Sequence, residues 1–488
     1  MLPTSANSPK RRVLRRWRNR IRHQLPQSRQ RRWLLYIAIL ATVHFFVGYG
    51  QRDLRRAFPF LFGEIDEPPT YKQLRQWELD LPQHNLELPF PEGRNGRYVY
   101  FRNQVRKLGW NNALNEVLMN THLAYKSNRT YVFQDYMWKR SYYPWRWYKH
   151  RDWRPRTPLN ALIGGPSAGG PWDKDDPAPR SVSERWFDIV CPKSERRIIY
   201  SEDVKPAIRW KNGDVIFKHW QKLLSEAPER CIEVKPVSLK VDPFPQTFDL
   251  YVWGSERILP LWEEFKNSPV SQLLSTSPIV QSAVDRNLYL FMARSSRAQN
   301  TDVPDPFDRM LAIHLRRGDF SQACLDLANW NSTFYSWNLL PSLPDSFSTP
   351  PGYEWGKNTP ENVQLYLERC FPTDEFILNK IRTSRSDYIR GAKSGEPRVL
   401  DTLYLLTNDK SGWVDSMRPV LQREGWNTIV TTKQLHLDQE QKDVNMAVDM
   451  EFARKAAVFI GNGWSSFTSN IVHRRLVDGR DPNTIRFY

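Results

Sequence analysis

RMLAIHLRRGDF (309–320) is the stretch on which the fold turns. Residues 309–315 make a largely apolar run of strand length, which reads as a buried strand. Two arginines follow it at once. In an open α/β sheet the carboxyl ends of the strands border the ligand crevice, so Arg316 and Arg317 stand where an anionic ligand would meet them in a partly dry site. A guanidinium grips a diphosphate through two parallel hydrogen bonds, a geometry that lysine cannot reproduce. The bland reading of the same residues is a solvated turn in which Arg317 pairs with Asp319. His314 by itself reads as a structural hydrogen-bonding residue.

Working outward, VLDTLYLLTND (399–409) and KAAVFIGN (455–462) repeat the strand signal, with helical stretches at ENVQLYLERCF (361–371) and DQEQKDVNMAVDMEFARKA (438–456). The first half begins the same alternation. YVYF (98–101) and TYVFQD (130–135) read as strands around a helix at 111–125, whose one face carries Leu114, Val117, Leu118 and His122. Strands alternating with helices predict parallel sheets, and two such blocks joined near 295–305 predict two doubly wound domains, 93–300 and 301–488. Residues 139–182, rich in Trp, Tyr, Pro and Gly, read as a long insertion over the surface. Residues 51–92, with six prolines, read as an extended stem.

Two further strings carry chemistry. FIGNGWSSFTSNIVHRR (459–475) is a strand, a glycine-bracketed turn and a helix opened by Ser465 or Ser466 as N-cap, whose first N–H groups form an anion site. An ordinary capped helix is the alternative. In KLGWNNALNEVL (107–118), Gly109 permits close approach, and Asn111 and Asn112 offer amide donors and acceptors just before the helix.

The chain has 488 residues and a formal charge of +18, which by itself suggests a polyanionic partner. Eleven of those charges sit in residues 1–32, without one acid, so the body is only mildly basic and a nucleic-acid binder is not expected. WLLYIAILATVHFFVGYG (33–50) follows, eighteen residues without charge. As a helix it would span about 27 Å, close to a thin bilayer core. No small-x-small cleavage site follows, so an uncleaved anchor is expected rather than a signal peptide. The positive-inside rule then puts 1–32 in the cytosol and 51–488 in the lumen of the endoplasmic reticulum or Golgi, as a single-pass type II protein. Cys191, Cys231, Cys324 and Cys370 are then expected in disulfides, with three connectivities open. Asn128 and Asn331 stand in sequons.

Three of these strings together resemble the GDP-fucose protein O-fucosyltransferases. HLRRGDF (314–320) is similar to that family's H-x-R-R-x-D segment, and DMEFARKAAVFIGNGWSSFT (449–468) to its carboxy-terminal motif. GWNNALNEVL (109–118) is similar to its nucleotide-sugar loop, which brings in Gly109, Trp110, Asn111 and Asn112. The resemblance implies a GT-B-like α/β fold of two Rossmann-type domains with the donor in the interdomain cleft. It implies transfer of fucose from GDP-fucose to a protein or glycan hydroxyl, with inversion and without a metal or further cofactor. By the same resemblance His314, Arg316 and Asp319 form the phosphate-side motif, with Arg316 on the β-phosphate as the catalytic residue. Asp449 reads guanine, and Ser465, Ser466 and Phe467 line the phosphate and sugar region.

Residues 107–111 lack the carboxylate that some members carry in that loop, and Glu116 already lies on the helix, so the base is left unassigned. Two rivals remain. Asp173-Lys174-Asp175-Asp176 is a D-x-D string of the kind that holds a divalent cation in metal-dependent transferases, and a non-catalytic sugar-nucleotide or glycan binder on the same fold fits the missing carboxylate.

Overall fold

The computed structural model describes residues 33, 36–38, 67–105, 107–145, 155–238, 240–292, 305–317, 320–392, 398–409 and 411–488. The chain forms two compact units, Met1–Glu67 and Pro68–Tyr488. In the first, residues 33 and 36–38 are helical, whereas the basic tail and the rest of the expected anchor lie outside the described residues. Among the described residues no helix is long and apolar enough to cross a membrane.

The second unit is built on two five-stranded, wholly parallel sheets. The first holds β1 (Tyr98–Phe101), β2 (Thr130–Phe133), β3 (Val182–Ser183), β4 (Arg196–Tyr200) and β5 (Cys231–Lys235) in the order β3-β2-β1-β5-β4. The second holds β6 (Met310–Leu315), β7 (Thr402–Thr407), β8 (Thr428–Thr431), β9 (Val458–Gly461) and β10 (Ile485–Phe487) in the order β8-β7-β6-β9-β10. Alternation along β6 sends Met310 and Ala312 into one core and Leu311, Ile313 and Leu315 into the other. Both faces are covered, which is why the strand is an unbroken apolar run. In the first sheet Val99 and Phe101 face one core, and Tyr98 and Tyr100 the other.

Four helices matter for the site: α1 (Lys72–Leu79), α2 (Trp110–Lys126), α3 (Asn445–Lys455) and α4 (Ser466–Val477). Helix α2 crosses from β1 to β2, as the periodicity predicts, and α4 follows β9. The two sheets meet through these helices. Asn470 of α4 donates to the carbonyl of Asn111 at 2.9 Å, and His473 Nε2 lies 2.6 Å from Ser271 Oγ.

Three expectations are corrected. The helix read across 438–456 breaks into Gln439–Asp443 and α3, because the Asp443 carboxylate is drawn into the body by Tyr71 Oη at 2.7 Å, Thr157 Oγ1 at 2.7 Å and Trp145 Nε1 at 3.1 Å. The surface insertion at 139–182 is largely interior from residue 155 onward, with Leu159, Leu162, Ala168 and Trp172 buried and β3 completing the first sheet. Gly165 makes that packing possible, since a Cβ there would sit 2.3 Å from the Leu273 carbonyl oxygen. The stem does not reach 92. Residues 68–92 belong to the folded unit, held by buried Tyr71 and Leu81 and by a two-bond Arg75–Asp135 pair at 2.7 and 2.6 Å.

Disulfides join Cys191 to Cys231 and Cys324 to Cys370. The first ties the helix Glu184–Val190 to the start of β5. The second clamps the helix Phe320–Asn329, which leaves the Arg316 turn, to the helix Pro360–Cys370.

Candidate functional site

Because the second sheet is wholly parallel, the carboxyl ends of β6, β7, β8 and β9 open on one edge, and the residues following each strand gather there. His314, next to last in β6, is a buried side chain. Its Nδ1 lies 3.1 Å from Thr468 Oγ1 and its ring centroid 4.6 Å from that of Phe467, so β6 is fastened to the first turn of α4. Burial, with the charge of Arg316 second, pushes the imidazole down to about 3. It is therefore neutral near pH 7 and far too weak a base to take a hydroxyl proton; its part is positional.

Arg316 follows one residue past the strand, half-buried, with its guanidinium carbon 4.4 Å from the Phe320 ring centroid. Arg317 turns the other way. Its Nη2 donates to Asp374 at 2.7 Å and its Nη1 to the Pro372 carbonyl at 3.0 Å, while Trp413 stacks over the guanidinium at 4.5 Å. Asp374 is thus a partner of Arg317, because the helix that begins there supplies a first-turn carboxylate within reach. Asp319 lies outside the described residues.

At the end of β9, Gly461 and Gly463 are dictated by space. A Cβ on Gly461 would meet Thr468 Cγ2 at 2.4 Å, and one on Gly463 would meet the Phe334 ring at 2.3 Å. Asn462 between them donates to the Cys370 carbonyl at 2.8 Å and accepts from the Trp464 amide at 3.0 Å, locking the turn to the second disulfide. Ser465 takes the N-cap position of α4 as expected, but its side chain forms no capping bond. The first-turn amides, with Ser466 partly exposed, therefore keep their capacity to bind an anion from outside the helix.

Asp449 lies on α3, and its carboxylate accepts from Tyr404 Oη and from Thr432 Oγ1, the latter at 2.9 and 3.1 Å. Burial raises this carboxyl to about 7, against the opposing pull of those two hydroxyls. A carboxylate offers about four lone-pair positions, so these bonds leave room for a further donor. Tyr404 and Thr432 are partners that the linear pattern does not reveal, since only pairing of β7 and β8 sets them beside α3. Thr432 also borders a cavity of about 240 Å³ past the ends of β7 and β8, where Asp409, Arg418 and Lys433 supply charge.

The amino-terminal loop enters from the first sheet. Gly109 is exposed with open space around its Cα, Trp110 is buried edge-on against Tyr136, and Asn111 and Asn112 are half-buried. The Asn470 bond brings Asn111 to α4 one turn past Ser466. Glu116 turns away: it is 1% exposed, accepts from Trp253 Nε1 at 2.7 Å and from the Phe248 amide at 3.4 Å, and is raised by burial to about 8. Of the D-x-D string, Asp176 accepts from Tyr125 Oη at 3.0 Å and from the Ala178 amide at 2.9 Å.

No protein-family model matches the chain, and no curated protein matches it. Among solved structures the chain is similar to POFUT1 in complex with GDP-fucose, at 15% identity over 80% of this chain and 97% of that one, with a TM-score of 0.47. It is similar to the fucosyltransferase NodZ from Bradyrhizobium, at 12% identity over 78% and 93% of the two chains, with a TM-score of 0.36. A mutant of Arabidopsis thaliana FUT1 in complex with GDP aligns at 12% identity over 84% and 78%, with a TM-score of 0.33. Likenesses this distant carry no residue roles to the present chain.

Proposed function

We propose that this chain is a glycosyltransferase that moves fucose from GDP-fucose to an acceptor hydroxyl, with the donor at the carboxyl edge of the second sheet. The observation that carries the reading is the fastening of His314 to Thr468 and Phe467. It holds the end of β6, from which Arg316 follows, to the uncapped start of α4, and in this reading a fork of guanidinium donors and a set of helix amides meet one ligand. That pairing suits a diphosphate. In the transfer, the acceptor oxygen bonds to the sugar C1 opposite the leaving group, the C1–O electron pair stays on GDP, and the hydroxyl proton passes to solvent or to an oxygen of the departing diphosphate as the new bond forms. Negative charge grows on the diphosphate, where Arg316 and the amides of α4 stabilise it more in the transition state than before it. Asp449 supplies a carboxylate for the N1–H and N2–H₂ donors of guanine, above the cavity beside Thr432.

With Glu116 turned into the core and no carboxylate in 107–111, catalysis in this reading rests on leaving-group stabilisation and needs no metal. The same absence favours a second reading, a non-catalytic sugar-nucleotide binder. Calorimetry with GDP and UDP, followed by release of fucose from GDP-fucose, tests both. Binding of GDP well above UDP with fucose release supports the enzyme, binding without release supports the binder, and equal affinity for UDP removes the guanine role of Asp449. The amino-terminal segment completes the proposal as a single-pass anchor placing the body in the lumen of the endoplasmic reticulum or Golgi. In sealed microsomes added protease should then spare everything past residue 50, and digestion of the body would reverse that topology.

A further inference from the structure

The carboxyl ends of β1, β2 and β5 enclose a second and larger crevice, of about 960 Å³, that reaches Gly109. Its charge is one-sided. Among the described residues, Arg102, Lys107, Lys139, Arg156 and Lys235 line it against two carboxylates, Asp135 and Glu184. Both acids are already neutralised: Asp135 by the two-bond pair with Arg75, and Glu184 by Arg156 at 2.7 Å together with the Tyr100 hydroxyl at 2.8 Å. Beneath the rim, Glu233 is shared among Arg102 at 3.1 Å, Arg196 at 3.2 Å and Lys235 at 3.6 Å, and Arg196 is also held by Asp188 at 2.6 Å, so Arg102 and Lys235 divide one partly engaged carboxylate. Lys107 and Lys139 form no ion pair with any of the described residues; Lys139 instead lies 5.2 Å from the centroid of Tyr142, whose ring is 65% exposed. A concave site with walls of low dielectric focuses such an excess of charge onto whatever enters.

We infer that the acceptor is an anionic saccharide, bound in this crevice with its acid groups on Lys107 and Lys139 and a pyranose face on Tyr142. The inference rests on the donor reading in one respect, that a molecule held at Gly109 is the one receiving the sugar. An acidic peptide is disfavoured by the topology. Extended peptides add to a sheet along a free strand edge, whereas β2, β1 and β5 are the three inner strands and offer only their ends, with side chains rather than a row of backbone donors.

The test is calorimetric titration of the full chain with a hexamer of galacturonic acid, its carboxyl-reduced neutral counterpart, and hexaglutamate, with GDP titrated alongside. The uronide should bind at least tenfold more tightly than the neutral hexamer, lose affinity as salt rises, and outcompete hexaglutamate. Lys107→Gln and Lys139→Gln should each weaken uronide binding about fivefold. Both side chains are exposed, so neither change removes packing, and a thermal melt checks this. Equal affinity for charged and neutral hexamers, or preference for hexaglutamate, overturns the inference even where GDP binds. Uronide binding without GDP binding sinks the donor reading instead and leaves the crevice assigned to an anionic glycan.

Discussion

His314 Nδ1 and Thr468 Oγ1 stand 3.1 Å apart, the bond by which the end of β6 holds the beginning of α4. Thr468 is fully buried, and its methyl group fills the space that a side chain on Gly461 would need. Gly461→Ala should therefore displace this β-branched side chain and cost about 1–3 kcal/mol of stability through overpacking. The check is a pair of measurements, the thermal midpoint and the GDP affinity, both expected to fall. Unchanged GDP binding in a destabilised variant would separate the packing of α4 from the donor site.

Arg316→Lys keeps the charge and loses the fork. If Arg316 meets the charge that grows on the leaving diphosphate, turnover should drop roughly a hundredfold or more, one such donor being worth about 3–4 kcal/mol. GDP affinity should fall much less than the rate. Arg317→Lys is the comparison. Its partners are Asp374 and the Pro372 carbonyl, so the expected effect is on stability. Near-normal turnover in a folded Arg316 variant would end the mechanistic assignment.

Asp449 gives the pH dependence a definite sign. Its carboxyl is raised to about 7, so it holds its proton in the folded chain where an unfolded chain, at an ordinary value of about 3.9, has lost it. Stability contributed by this group should decline as pH rises from about 4 to about 7. Donor binding should run the opposite way, since guanine needs the carboxylate. GDP affinity is expected to climb between pH 6 and 8, and in Asp449→Asn that component of the profile should vanish. A wild-type profile matching the variant's would remove Asp449 from base recognition.

The two disulfides should differ in consequence. Cys324 and Cys370 tether the helix that carries Phe320 against Arg316, and Cys370 also receives the Asn462 bond. Replacing both with Ser should cost about 2–5 kcal/mol and weaken GDP binding below the melting temperature. Replacing Cys191 and Cys231, beside β5, should cost similar stability with GDP affinity retained, since that bridge lies on the first sheet. Equal effects on GDP affinity would show that neither bridge is specific to the donor edge.

Local pattern alone located the strands at 98–101 and 309–315, the helix at 111–125 and the parallel alternation of both halves, each within one residue of its place in the fold, because an interior strand or an amphipathic helix writes its burial into local periodicity. It also placed Arg316 and Ser465 at element ends, where backbone groups and charge are exposed to a ligand. It did not show that Asp449 would be met by Tyr404 and Thr432, that Asn462 would bond to Cys370, or that Arg317 would turn to Asp374. Those partners are 45, 17, 92 and 57 positions away respectively, and only sheet order and helix packing bring them together. The charged crevice over β1, β2 and β5 was equally invisible, since its cations come from separate segments, and the pairing of Asp135 with Arg75, Glu184 with Arg156 and Glu233 with Arg102 is a property of the folded chain. The break at Val444 and the buried segment from residue 155 have the same origin: one carboxylate, Asp443, satisfied by donors from three distant positions, outweighs the local preference to continue a helix or to stay at the surface.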